Sequence, residues 1–527
     1  MRPRTRAKIT RMWPFALLPL LLLHRHDLAA QGITPSVASK VLIKTVRITG
    51  NIVIGTAELE PIIQSYVGKE LDLSELEKIA QTITEEYQRR GYTLARAYVP
   101  EQEVNNGAVE IAVLEGRVGQ IDVTGNKNYS TEFIRKGFSG VVSERAIKQT
   151  TLEKSLLLLN ENSDLKAKAL LKAGQEPGTT DIIVDVEDKL PLHLALDYNN
   201  FGSTFTSRHR FGAELTLSKF LLVEGSSLSV RGVMGSEPSA LLYGRASYVL
   251  PVNNYGTKLG LYASGGDFDV GQEFAELNLK GKTWGYGVSL SHPFIKTRFQ
   301  SLTSEFGFES KDTKQFLLDS LSSRDKIRML RAGLTYDGSD STGRSFIFLS
   351  LFQGLGEAFG AMENNDPRSS RIGADNRFTK LNLDLARAQR FSDLFSLILR
   401  GSGQVSSASL VASEQFSLGG ADTVRGYPQG EFLGDDAYNV SAELRVSPLT
   451  NKEIAQLAFF IDHGAVSLKK PAIGQKKYND LTGAGFGLRL SLPYDFHARL
   501  DIGFPVKPTK PSSGGRPTYY VQTAVKF

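Results

Sequence analysis

Gly483-Ala484-Gly485-Phe486-Gly487-Leu488-Arg489-Leu490-Ser491-Leu492 alternates without a break. In an extended chain successive side chains point to opposite faces. Ala484, Phe486, Leu488, Leu490 and Leu492 therefore share one side, and Gly483, Gly485, Gly487, Arg489 and Ser491 the other. The same period appears upstream. Trp284, Tyr286, Val288 and Leu290 oppose Gly285, Gly287, Ser289 and Ser291, while Tyr438, Val440, Ala442, Leu444 and Val446 oppose Asn439, Ser441, Glu443 and Arg445. From Pro191 to Phe527 helical spacing is absent, and Gly, Asn, Asp and Ser separate the runs. Such strands suit a soluble sandwich with its polar side in bulk water, or a membrane barrel with its apolar side in lipid and its polar side around a wet lumen.

Loop lengths separate the two. The alternating runs fall near 191–200, 209–220, 226–235, 240–250, 256–268, 282–294, 299–312, 324–337, 344–355, 375–388, 393–404, 435–447, 454–465, 480–493, 496–505 and 517–527, which makes sixteen strands. Connections after even-numbered runs are short, such as Pro251 to Tyr255 and Tyr494-Asp495. Most after odd-numbered runs are longer, such as Gly356 to Ala374 and Gln404 to Gly434, with Gly235 to Ser239 as the exception. Short turns on one side and long loops on the other are the pattern of an outer-membrane barrel, and a sandwich has no reason to sort its loops this way. The last strand carries Tyr519, Val521, Thr523, Val525 and Phe527 on one face. A terminal aromatic there resembles the signal read by the barrel assembly machinery during insertion among outer-membrane lipids.

The N-terminus agrees. Arg2, Arg4, Arg6, Lys8 and Arg11 precede the apolar run Met12 to Leu23, and Leu28-Ala29-Ala30 offers small residues for cleavage before Gln31. Residues 1–30 read as a signal peptide, because the run is about half of the ~20 residues a spanning helix needs and contains Pro14 and Pro19. No later apolar run could span as a helix. The formal net charge of +6 in 527 residues is dispersed rather than gathered in a basic platform, so nucleic acid is not an expected partner. The chain has no cysteine, which excludes disulfides and thiolate metal sites.

Between a short lead at 31–40 and the barrel at 190–527, the pattern mixes helix and strand. Lys44 to Gly50 alternates, Thr56 to Tyr66 and Leu73 to Tyr92 have helical spacing with Thr56 and Ser74 as expected caps, and Ala95 to Pro100 and Val109 to Leu114 read as strands. The order recurs over Gln120 to Thr124, Ser130 to Phe138, Ile147 to Glu161, Leu165 to Lys172 and Thr180 to Asp188. Two α+β modules follow, at 41–116 and 117–189, each a three-stranded sheet under two helices. Arg90-Gly91-Tyr92, Ala97-Tyr98-Val99-Pro100-Glu101-Gln102 and Val113-Leu114-Glu115-Gly116 resemble POTRA (polypeptide-transport-associated) domains. That resemblance implies periplasmic modules that receive an extended client chain by adding it to a sheet edge.

The connection 405–434, on the outer side, contains Phe416-Ser417-Leu418-Gly419-Gly420-Ala421-Asp422-Thr423-Val424-Arg425-Gly426-Tyr427. So long a loop is uncommon in a compact assembly unless it is functional, and a guanidinium folded into a lumen needs a carboxylate. With Leu457, Phe459 and Ile461 facing lipid, Phe460, Asp462 and Gly464 turn inward, and a bidentate Arg425–Asp462 pair packed on Phe460 is expected. Glu443, Arg445, Arg489, Arg499 and Asp501 are expected to line a wet wall. Val424-Arg425-Gly426-Tyr427 with Phe460-x-Asp462-x-Gly464 is similar to the paired signature of the outer-membrane assembly factor superfamily. Together with two POTRA-like modules and Leu196-Asp197-Tyr198-Asn199-Asn200-Phe201-Gly202-Ser203, it resembles the TpsB transporters of two-partner secretion, the haemolysin-activator (ShlB/FhaC/HecB) type.

That resemblance implies a sixteen-stranded outer-membrane barrel whose sixth outer loop enters the lumen. It also implies POTRA domains that capture an unfolded TpsA exoprotein for secretion without ATP. Members often carry an N-terminal plug helix, for which the lead 31–40 is too short, so closure by the folded-in loop and the POTRA domains is expected. An assembly factor that inserts barrel proteins shares the loop motif but carries a different number of modules. A passive porin or receptor has no use for client-binding modules. Enzymatic chemistry, cofactors and metals are not expected. His193, His209, His292, His463 and His497 lack metal-ligand spacing, no serine sits on a strand-to-helix elbow, and Gly354 to Gly360 lacks the Lys-Ser of a phosphate loop.

Overall fold

The computed structural model describes residues 40–448, 454–509 and 515–527; the signal peptide read at 1–30 and the lead before Lys40 lie outside the described residues. In the first module the strand Thr45–Thr49 is followed by helices Thr56–Gln64 and Leu73–Arg89 and strands Arg96–Tyr98 and Ala108–Leu114. Ala108–Leu114 is central, parallel to the first strand and antiparallel to Arg96–Tyr98. Leu59 and Ile63 of one helix and Leu76, Ile79, Ile83 and Tyr87 of the other close over Ile48, Val109, Ile111 and Val113.

The helix caps differ from those read in the sequence. Gly55 precedes the first helix without a side-chain cap. Asp72 caps the second, accepting from Glu75 N while the Glu75 carboxylate accepts from Asp72 N, both at 2.9 Å. This reciprocal box satisfies two orphan donors where Ser74 alone would satisfy one. Glu115 is buried and accepts from Tyr87 Oη (2.8 Å), Ile52 N (2.6 Å) and Val53 N (2.8 Å), so it folds the module rather than facing a client.

Strands Arg117–Thr124, Leu165–Ala173 and Thr179–Asp188 and helices Thr131–Lys136 and Gln149–Leu159 repeat the arrangement, with the short helix Ser139–Val142 between the two. This second module sits against the short turns of the barrel. Glu161 takes Lys258 and Lys296 at 2.6 Å each, Glu153 takes Arg298 at 2.9 Å, and Glu224 accepts from Ser130 N at 2.7 Å. Burial opposes ionisation of Glu161, yet the two lysines more than offset it and hold the carboxyl below its ordinary range.

The barrel strands are Leu192–Asn199, Arg210–Ser218, Ser227–Gly235, Leu241–Pro251, Lys258–Asp269, Lys280–Lys296, Gln300–Leu317, Ser320–Asp340, Gly343–Gly354, Thr379–Arg390, Phe395–Ser406, Asp436–Val446, Ala455–Ser467, Tyr478–Leu492, Phe496–Pro505 and Thr518–Lys526. Each pairs antiparallel with the next. Thr518–Lys526 closes the ring on Leu192–Asn199, from Gln522↔Asn199 to Lys526↔Ala195. Leu457, Phe459 and Ile461 stand exposed on the outer surface while Ala458, Phe460 and Asp462 are buried inside, as strand parity requires. The seventh and eighth strands are longer than the runs at 299–312 and 324–337. Alternation continues past the membrane band, and the connection shrinks to Leu318-Asp319, both at positive φ as a tight hairpin demands.

Candidate functional site

The loop between Phe395–Ser406 and Asp436–Val446 turns back into the barrel. Phe416–Leu418 pairs antiparallel with Phe432–Gly434, so the tip is presented by a small two-stranded stem rather than an irregular lasso. Leu418, Val424 and Tyr427 are fully buried against Val466 and Leu481 of the wall. The wall is shaped for this approach. A β-carbon on Gly464 would meet the Leu418 side chain at 2.6 Å, and one on Gly483 would overlap the Arg425 carbonyl. Gly426 (φ 103°) lies against the backbone of Phe504 and Pro505, where no other residue fits.

Arg425 is 2 % exposed. Its Nε donates to Asp462 Oδ2 at 2.7 Å and its Nη2 to Asp462 Oδ1 at 2.9 Å, a two-pronged pair. The backbone N–H of Arg425 donates to the same Oδ2 at 3.1 Å. Nη1 reaches Glu443 at 2.8 Å and Asp501 at 3.4 Å, and the guanidinium carbon lies 3.3 Å from the centre of the Phe460 ring. Tyr520 Oη accepts from Gly426 N (3.0 Å) and donates to Tyr427 O (2.8 Å), while Tyr427 Oη bonds the carbonyls of Thr482 (2.9 Å) and Lys507 (2.8 Å).

Glu443 and Asp501 correct the reading of a wet, charge-lined wall. Each is 2 % exposed, because the loop tip covers them. Arg489 bridges Glu443 (2.8 Å) and Asp501 (2.6 Å), Arg445 donates to Glu443 (2.8 Å), and Arg499 donates to Asp501 (2.7 Å) and to the loop carbonyl of Ala421 (2.8 Å). Asp462 is therefore one of three carboxylates around Arg425. Four guanidiniums, Arg425, Arg445, Arg489 and Arg499, meet those three, which shares each desolvation cost across several partners. Tyr520 and Gly483 escaped the sequence reading. Gly483 in a strand that also carries Gly485 and Gly487 gives no local sign of which glycine a loop will touch.

Outer loops meet above this site. Asp435, fully buried, accepts from Arg371 Nη1 (2.6 Å), Leu410 N (2.9 Å) and Lys469 N (2.8 Å), tying connections 355–378, 407–435 and 468–477. The five histidines among the described residues each bond a neighbouring hydroxyl: Ser163 with His193, Tyr198 with His209, Thr257 with His292, Tyr438 and Thr482 with His463, and Ser491 with His497.

A closed ring of sixteen antiparallel strands, apolar outside and charged inside, below which α+β modules hang, defines an outer-membrane β-barrel protein with attached α+β modules. The chain belongs to the family described as haemolysin secretion/activation protein ShlB/FhaC/HecB, whose model matches residues 178–490, and a ShlB-type POTRA domain matches residues 41–116. It is similar to the heme/hemopexin transporter protein HuxB of Haemophilus influenzae, 28% identical over 465 residues, 86% of this chain and 81% of the relative. Among solved structures it resembles CdiB from Escherichia coli (TM-score 0.78, 20% identity, 95% of this chain and 93% of that one). CdiB from Acinetobacter baumannii gives 0.69 at 18% identity, covering 93% and 90%. The chain is thus a two-partner secretion transporter of the outer membrane, its POTRA region on the periplasmic side.

Proposed function

We propose that an unfolded exoprotein of the TpsA kind docks on the modules at 41–116 and 117–189, threads the barrel and folds outside, with no ATP consumed. The loop tip held by Arg425 closes the lumen at rest. The buried Arg425–Asp462–Glu443–Asp501 cluster is the observation that carries the closure, since four charges leave water together only where the loop and the wall are built for one another. Each module's sheet ends in outer strands, Thr45–Thr49 and Arg96–Tyr98 in the first, Arg117–Thr124 and Leu165–Ala173 in the second, which supports docking by strand addition. Folding free energy gained outside biases movement outward, and no bond of the client is made or broken.

The test is secretion of the cognate exoprotein from cells making the full chain or a chain lacking residues 41–116. The account expects secretion to vanish while the barrel stays inserted and heat-modifiable on gels, and undiminished secretion refutes client capture. If the chain instead inserted other barrel proteins, its loss would lower their outer-membrane levels, which this account expects to be unchanged.

A further inference from the structure

The loop meets the wall at a second point that the Arg425 cluster does not use. Glu414, in the short turn Ala412–Glu414, is 3 % exposed. Its Oε1 accepts from Lys311 Nζ at 2.8 Å and its Oε2 from Lys380 Nζ at 2.7 Å. Lys380 Nζ and Gln404 Nε2 both reach the Glu414 carbonyl at 3.3 Å, and the Lys380 ammonium stands 5.0 Å from the centre of the Phe352 ring. Lys311 belongs to the seventh strand and Lys380 to the tenth, so one loop carboxylate joins two separate parts of the wall. Burying a carboxylate this far from water is tolerated only because two ammonium groups face it.

The two contact points have opposite polarity. At the tip the loop supplies a cation to wall acids; at Glu414 it supplies an anion to wall lysines. They also use different strands of the wall: the lysines stand on the seventh and tenth, the acids on the twelfth, thirteenth and fifteenth of the ring of sixteen. We infer that Glu414 is a second anchor of the loop, a positioning residue that with Lys311 and Lys380 holds the loop as a strap across the lumen, and that the pore opens fully only when both anchors let go. This rests on reading the barrel as a transport pore. A basic client stretch competes for Asp462, Glu443 and Asp501 but is repelled by the lysines, and an acidic stretch does the reverse. The client chemistry that releases both anchors is an extended segment bearing both signs.

Planar-bilayer conductance of the purified full chain tests this without a client. Glu414→Gln and Lys380→Met each raise open probability about tenfold or more, the factor given by ~1.4 kcal/mol of lost anchorage. The exchange Glu414→Lys with Lys380→Glu returns it toward the parent value, which a merely disruptive substitution does not. Parent-like conductance in Glu414→Gln and Lys380→Met overturns the second anchor, and it does so whether or not Arg425→Ala conducts more. Should Glu414→Gln fail to insert, the cysteine-free chain allows a single Gln415→Cys probe. Its labelling in intact cells by a membrane-impermeant maleimide rises several-fold with Lys380→Met if the strap is released. Unchanged labelling refutes the anchor. A chain that forms no conducting pore under any variant refutes the underlying transport reading instead.

Discussion

Replacing Arg425 by alanine removes three side-chain bonds under 3 Å, two to Asp462 and one to Glu443, together with the stack on Phe460. Asp462 is then left fully buried with its cation gone. Breaking a buried pair from one side costs about 3–5 kcal/mol, which shifts the docked-to-released balance of the loop by roughly 10² to 10³-fold or more. Arg489 and Arg499 still hold Asp501, and Arg489 and Arg445 still hold Glu443, which places the expected cost at the lower end of that range. The released loop strays through the lumen. Bilayer recordings of Arg425→Ala should therefore show a large rise in open probability, and exoprotein secretion should fall because a loop without its anchor no longer returns to the docked position from which the client displaces it. The barrel should remain inserted and heat-modifiable. Arg425→Lys keeps the charge but loses the two-pronged geometry and should fall between. Parent-like conductance and secretion in Arg425→Ala would refute the closure outright.

Gly483→Val should reproduce the Arg425→Ala phenotype with every charge intact, since its β-carbon overlaps the Arg425 carbonyl; conductance is the readout, and a parent-like trace counts against the close approach. The docking of the second module depends on pH through Glu161, whose lowered pKa means the docked state binds fewer protons than the undocked one. Its contribution is complete above the usual glutamate value of ~4.3 and fades as pH falls through the depressed one. Hydrogen exchange of Gln149–Leu159 should rise at strongly acidic pH, and Glu161→Gln should show that rise already at neutral pH. Removal of Phe527, whose N–H donates to Leu194 O at 2.8 Å where the ring closes, should lower the amount of heat-modifiable barrel in the outer membrane. Asp72→Ala should destabilise the helix Leu73–Arg89 by ~1 kcal/mol, seen as a lower thermal midpoint.

The strands were legible because a barrel strand is a local pattern: lipid on one side and lumen on the other impose a period of two that any window of the chain displays. Parity also put Asp462 on the face that Arg425 needs. Glu414 with Lys311 and Lys380 was not legible, because 103 and 34 residues separate the partners and only the closed ring brings them together. The burial of Glu443 and Asp501 was missed for a related reason. Parity says which face a residue takes but not whether a loop later covers that face. Leu318-Asp319 hid the long outer hairpin, since a two-residue turn without glycine gives no break in an alternating run.

Proteoliposomes containing only the purified chain, with its POTRA region outward, test the central claim most directly. Urea-unfolded exoprotein is diluted onto them, and protease is added after a fixed time. The account predicts that exoprotein becomes protease-protected inside the vesicles without nucleotide, and that this is lost in a chain lacking residues 41–116. Exoprotein that stays fully accessible, or is protected only when ATP is supplied, contradicts it.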